Sequence, residues 1–305
     1  VTAIKRNAFK GCTELASITI PNSVTTIERH AFEDCTGLTS VTMPNAIKTI
    51  TFGTFRNCSG LKSITIPNSV TKIENSAFQG CTGLTSLVIP NSVKTIEESA
   101  FYKCTGLTSV TIPNSITIIG HSIFSGCTGL KSVEIPNSIT YIGIDAFWGC
   151  TGLTSVTIPN SVTDIGDTTF GECTGLTEVH SNNPIPPTCG NNCFYNVDLL
   201  NCKLYVPKDS YSAYSTAKQW ELFYDIFEEE AQALSEVNMD NLSIVQTSNG
   251  VEIDSPENVI VEIYAISGER IYRNTVNGTV QIPLGTGTYV IRIGEKYENS
   301  VKVRI

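Results

Sequence analysis

No stretch of the chain is apolar for the roughly eighteen residues that a membrane-spanning helix needs, so no segment reads as a transmembrane helix. Residues 1–10 have neither the basic start nor the apolar core of an export signal, and the expectation is that such a signal has been removed. Cations are scarce: 20 Lys and Arg stand against 29 Asp and Glu, a net charge of −9. Nucleic-acid binding depends on clustered Lys and Arg that neutralise phosphates, so that partner class is excluded. The surplus acid is local. Residues 1–180 hold 11 basic and 13 acidic side chains, 181–240 hold 3 and 9, and 241–305 hold 6 and 7. The acidity therefore centres on Glu228, Glu229 and Glu230 and reads as a solvated linker or helix end.

Residues that carry chemistry are also sparse. The three histidines, His30, His121 and His180, fall at different repeat positions, with no carboxylate or cysteine read at ligand spacing. No Gly-x-Ser-x-Gly, His-Glu-x-x-His, phosphate-cradling glycine loop or calcium-loop pattern occurs. These absences lead to the expectation of no catalytic residue, no metal site and no cofactor.

What the chain does have is cysteine at a fixed interval. Of its 11 cysteines, Cys12, Cys35, Cys58, Cys81, Cys104, Cys127, Cys150 and Cys173 recur every 23 residues. Other columns keep the same period: Leu15, Leu38, Leu61 and Leu84; Ile18, Val41, Ile64 and Leu87; and a phenylalanine column from Phe9 to Phe170. A period in the twenties with aliphatic columns marks a leucine-rich-repeat solenoid. Alternation in Leu-x-x-Val-x-Ile sends every second side chain to one face of a short strand, and Pro-Asn-Ser then stops the strand and turns the chain. A second short apolar pair, such as Val70 and Ile73, lines the opposite wall. One coil alone buries too little apolar surface to offset the ordering of its backbone, so stability must be shared along the stack. About eight such coils are expected over residues 1–180. Cysteines stacked on parallel coils point the same way, which is poor disulfide geometry, so the ladder is expected to be buried free thiol. Cys189, Cys193 and Cys202 lie off the ladder, as buried thiols or as one disulfide with Cys189–Cys202 the favoured pair.

The unit C-T-G-L-T-S-V-T-I-P-N-S-V-T-x-I-x-x-x-A-F resembles the BspA-like leucine-rich repeats of surface proteins from Bacteroidetes and some mucosal protozoa. The likeness continues through Leu204 to Lys208 and on to Tyr211, Tyr214, Trp220, Phe223 and Ile226, similar to the closing segment of such arrays, which assigns residues 181–228 to a cap. Residues 229–240 read as a linker. Residues 241–305 have lost the period and read as seven short strands (242–246, 251–254, 259–266, 270–273, 280–282, 289–293 and 300–305), a small all-β, Ig-like sandwich. In that segment Ile263, Tyr264, Gly268, Leu284, Gly287, Tyr289, Val290 and Lys302 resemble a type IX secretion sorting domain. The family resemblance implies a non-enzymatic protein at the outer-membrane surface or outside the cell. It would adhere to host matrix or cell-surface proteins or to other bacteria, with glycan binding or a purely structural role as the alternative.

A binding surface should show where a solvent-facing column departs from its polar habit. The column Thr26, Thr49, Lys72, Thr95, Ile118, Tyr141, Asp164 turns apolar at two adjoining places. Ile144 stands between His121 and Asp167, and Trp148 between Ser125 and Gly171. Ile118, Tyr141, Ile144 and Trp148 are therefore expected to form an exposed apolar recognition patch on the wall of the second strand.

Overall fold

The computed structural model describes residues 1–229, 243–247, 250–265, 270–285, 288–293 and 299–304, in two compact units, Val1–Glu229 and Glu230–Ile305.

The first unit is a solenoid with two strand walls. Its first wall runs from Ser17–Thr19 through Ser40–Thr42 and Ser86–Val88 to Lys203–Pro207 and Asp225–Glu229, and its second from Ala3–Ile4 to Thr188–Cys189. Successive strands pair in parallel and in register, so that Ile18 lies opposite Val41 and Leu87 opposite Val110. This is what a fixed 23-residue period dictates: equal positions stack on equal positions. The coil at residues 61–66 keeps Leu61, Ile64 and Ile66 buried but has no assigned strand. Its backbone reaches its neighbours through long bonds, Lys62 N to Thr39 O and Thr85 N to Lys62 O, both 3.3 Å. Nine first-wall strands and that coil make ten turns, eight of them within residues 1–180, and Lys203–Pro207 and Asp225–Glu229 continue the sheet beyond the last ladder cysteine.

The core is built column by column. Nine phenylalanine rings, from Phe9 to Phe194, stack at centroid separations from 5.1 to 5.7 Å, with neighbouring planes within 15° of parallel. Each ladder thiol from Cys35 to Cys173 donates to the carbonyl of a phenylalanine 26 residues earlier, as Cys104 does to Phe78 at 3.2 Å. Burial holds these thiols protonated, with Cys81, Cys127 and Cys173 pushed up to about 12. Cys12 departs from the expectation of an inward ladder: it is exposed, and no described coil covers it on the outer side. The glycine of each Cys-Thr-Gly-Leu turn sets how closely coils approach. A Cβ on Gly106 would lie 2.3 Å from the Thr82 carbonyl oxygen.

Beyond Phe194 the column closes edge-on. Trp220 and Phe223 meet the Phe194 ring edge-on at 5.4 and 5.0 Å, inclined to it by 61° and 80°. The buried polar atoms here are all answered: Trp220 Nε1 donates to Pro187 O at 2.8 Å, and Tyr214 Oη lies 2.6 Å from Ser181 Oγ and donates to Asn183 O. The break in period at Pro184, Pro186 and Pro187 makes room for this plug.

Cys189, Cys193 and Cys202 are buried and free. The two that meet are Cys189 and Cys193, whose thiols share a hydrogen bond, while Cys202 lies near Asp198 and Glu178. The three are thus buried thiols, the first of the two expected readings, and Cys189–Cys202, the favoured pair of the other, are not the two that meet. Cys189 and Cys193 belong to one coil, whereas Cys202 opens the next first-wall strand.

In the second unit the described strands form one antiparallel sheet of five: Ser243–Thr247, Gly250–Ala265, Arg270–Pro283, Thr288–Ile293 and Asn299–Arg304. Two of them are long and each takes in two of the expected short strands. A register shift between Ser255 and Val259 replaces the expected break, and Gly278 lies within a strand, opposite Ser255. Val251, Ile253, Val261, Ile263, Val276, Ile282 and Ile291 share a buried cluster. Gly268 and Gly287 of the sorting-domain likeness, and the linker beyond Glu229, lie outside the described residues.

Candidate binding surface

Each coil leaves its second strand through a turn whose outward side chains come from four columns. The first is the outer strand position, Ile118, Tyr141, Asp164 and Thr188, paired in that order. The second is His121, Ile144 and Asp167. The third is Ser122, Asp145 and Thr168, all in the left-handed backbone region with φ of 52, 54 and 54°. That conformation recurs at Ser76 and Ser99, so it belongs to the repeat. The fourth column is Tyr102, Ser125, Trp148, Gly171 and Tyr195.

Of the four expected residues, the strand pairing sets Ile118 directly beside Tyr141. Ile118 is 51% exposed and Tyr141 half-buried, and Ile144, 36% exposed, follows Tyr141 by three positions on the same coil. His121 meets the Tyr141 ring edge-on at 6.5 Å. Trp148 makes its contacts further round the turn. Its indole lies over Gly171, where a Cβ would come within 2.4 Å of it, and stacks nearly parallel on Tyr195 at 6.0 Å. It also borders a shallow recess of about 420 Å³ lined by Tyr102, Ser122, Ser125, Asp145, Trp148 and Thr168.

Two of the three histidines, His30 and His180, do have carboxylate neighbours, which the sequence reading missed. His30 Nδ1 lies 2.9 Å from Glu33, a buried carboxylate that also meets Lys10 at 2.7 Å and Arg56 at 3.4 Å. This is an inward charge cluster with its partners in place, not an open site. On the first wall, His180 stacks on Tyr205 at 4.6 Å and Tyr205 on Phe227 at 5.6 Å, with Glu229 3.4 Å from His180. This second exposed aromatic strip was legible only by extending the Thr111, Glu134, Thr157 column past the broken period. Among the described residues no group of three or more His, Cys, Asp or Glu side chains could hold a metal ion, and no helix is long and apolar enough to cross a membrane.

A family model described as "BspA type Leucine rich repeat region" matches residues 1–108 and 94–217, in six copies. The chain belongs to the BspA-type leucine-rich-repeat family. Among solved structures, a leucine-rich repeat protein from Bacteroides ovatus is similar at 30% identity with a TM-score of 0.60, over 68% of this chain and 59% of that one. A leucine-rich cell surface protein from Faecalibacterium prausnitzii is 36% identical, over 59% of this chain and 51% of its own, with a TM-score of 0.47. The chain thus spans less than two thirds of either protein. No curated protein matches it.

Proposed function

We propose that this BspA-type chain is a non-enzymatic binding protein of the cell surface, which adheres to proteins of a host matrix, of host cells or of other bacteria. The observation that carries the reading is the run of exposed Ile118, half-buried Tyr141 and exposed Ile144 on a wall whose other coils from Thr26 onward present Thr, Lys and Asp at the outer strand position. A solenoid stacks such positions into one rigid face, and exposed apolar residues with an aromatic among them are what recognition of another surface requires. Every aliphatic and aromatic column residue is already committed to the core, which leaves outward positions as the only variable part of the coil. In this reading residues 181–228 serve as the cap, 229–240 as a linker, and 241–305 as an Ig-like sandwich acting as a secretion sorting domain. The buried cluster around Ile253 and Ile263 supports the sandwich, since a sheet with such a face needs a second layer. A glycan-binding alternative is favoured by a different place, the recess beside Trp148.

The test is binding of the purified protein to immobilised extracellular-matrix proteins, fixed epithelial cells and whole bacteria. Saturable binding to at least one is expected, weakened at least about 30-fold by Ile118→Ser with Tyr141→Ala, the equivalent of about 2 kcal/mol. Binding to none of them, or undiminished binding by a folded variant, removes the reading and leaves a structural surface module.

A further inference from the structure

The fourth outward column alternates large and small: Tyr102, Ser125, Trp148, Gly171, Tyr195. Alternation of this kind opens a slot between every second coil, and the two slots have different fates. The one above Gly171 is filled, because the Trp148 indole leans across it to stack on Tyr195. By leaning that way Trp148 leaves the other slot, above Ser125, open, with Tyr102 on its far side. Coils are spaced by roughly 4.8 Å, so side chains two coils apart stand on the order of 10 Å from each other. Trp148, by leaning away, widens that gap, so the slot admits one saturated six-membered ring in van der Waals contact, at about 4 Å, with the Trp148 face, while on the far side Lys103 Nζ lies over the Tyr102 ring at 5.1 Å.

The floor and rim of the slot are polar and incompletely used. Ser125 is 4% exposed, and its hydroxyl, which lines the recess, has no hydrogen-bond partner among the described residues. Asp145 accepts the hydroxyl hydrogen of Thr168 on one carboxylate oxygen, while its other oxygen has no partner among the described residues. Ser122 adds a further hydroxyl to the lining of the recess. The Trp148 face asks for a ligand with an apolar C–H face, and the carboxylate and hydroxyls ask for one ringed with groups that both donate and accept. A hydrocarbon would leave Ser125 and Asp145 unanswered, and an anion would meet the Asp145 carboxylate. A pyranose, with C–H faces and an equatorial belt of hydroxyls, satisfies both. We infer that the slot between Tyr102 and Trp148, floored by Ser125 and edged by Asp145, is a saccharide subsite that holds one pyranose ring. It is separate from the Ile118–Tyr141–Ile144 surface and does not depend on the protein-adhesion reading.

The chain carries its own reporter. Of its two tryptophans, Trp220 is fully buried with its N–H bonded to Pro187, so a sugar that changes the emission changes Trp148. The full chain would be titrated with methyl α-mannopyranoside, methyl α-glucopyranoside, methyl β-galactopyranoside and methyl N-acetyl-β-glucosaminide, with glycerol as the control polyol. At least one glycoside is expected to shift or quench Trp148 saturably in the millimolar range, with no saturation by glycerol. Ser125→Ala and Asp145→Asn should each weaken that binding at least about fivefold. Asn tolerates the left-handed backbone and keeps the acceptor for Thr168, so both variants should melt where the parent does. Absence of saturation by all four glycosides overturns the inference. So does saturation that both folded variants leave unchanged, or saturation by N-acetyltyrosinamide in place of the sugars, which would mark a peptide site. Because no macromolecular partner is used, failure here leaves the adhesion reading untouched, and failure of adhesion leaves this one standing.

Discussion

Phe101→Ala is the substitution that most fully exposes how the stack is held. Phe101 is the fifth of nine rings, fully buried, with Phe78 at 5.4 Å on one side and Phe124 at 5.6 Å on the other. Truncating a buried phenylalanine costs about 3 to 5 kcal/mol, and the cavity cannot collapse here because the inter-coil hydrogen bonds fix the spacing. Phe9 is only partly buried and touches one ring, so Phe9→Ala should cost no more than about half as much. In a quasi-one-dimensional array the loss falls on a nearest-neighbour interface, which divides the stack into two weakly coupled halves. Trp148 and Trp220 both lie on the C-terminal side of the break, so fluorescence reports that half while far-ultraviolet circular dichroism reports both. In guanidinium the parent solenoid should lose both signals together. Phe101→Ala should lose part of its dichroism at lower denaturant, before the fluorescence changes. Coincident transitions with a loss under about 1 kcal/mol, or a Phe9→Ala cost equal to that of Phe101→Ala, would refute the reasoning.

Three further outcomes follow from the same columns. Folding raises the thiols of Cys81, Cys127 and Cys173 to about 12, above their unfolded value near 9. Their contribution is therefore complete below pH 9 and drains away as pH climbs from about 9 towards 12, by roughly 1.4 kcal/mol per thiol per pH unit; melting temperatures that stay level from pH 8.5 to 11 would contradict this. Titration with a thiol reagent should find Cys12 reactive in the native protein and all 11 cysteines after unfolding, and disulfide-linked peptides joining successive ladder cysteines would count against it. Gly106→Ala should destabilise by about 1 to 3 kcal/mol, read from the denaturation midpoint, since its Cβ would press on the Thr82 carbonyl of the coil before it.

Much of this fold is legible in the sequence because neighbours in space are neighbours in the alignment of repeats. Ile118 beside Tyr141, the phenylalanine stack and the buried thiols all follow from counting 23. Legibility fails where the count fails. Phe194 comes 24 residues after Phe170, so Tyr195 drops out of the Trp148 column and the stacking that draws Trp148 away from Tyr141 goes unseen. For the same reason the Cys189–Cys193 neighbours are evident only in three dimensions, as is the edge-on packing of Tyr214, Trp220 and Phe223 within a closing segment that the sequence does mark. In the second unit the residues from Ser255 to Val259 look like a turn because they include Pro256, Glu257 and Asn258, yet a register shift lets the strand run through. Local turn chemistry cannot distinguish a bulge from a hairpin.

The central claim is that inward columns hold the solenoid and outward positions on a few coils do its binding. The most direct measurement is a substitution scan over residues 95–172 that reads, for each variant, both its melting temperature and its binding to fixed epithelial cells. Changes at Phe101, Cys104, Leu107 and Ile119 are predicted to lower both, whereas changes at Ile118, Tyr141 and Ile144 should lower binding alone. A scan in which no outward substitution reduces binding while the protein stays folded would contradict the account.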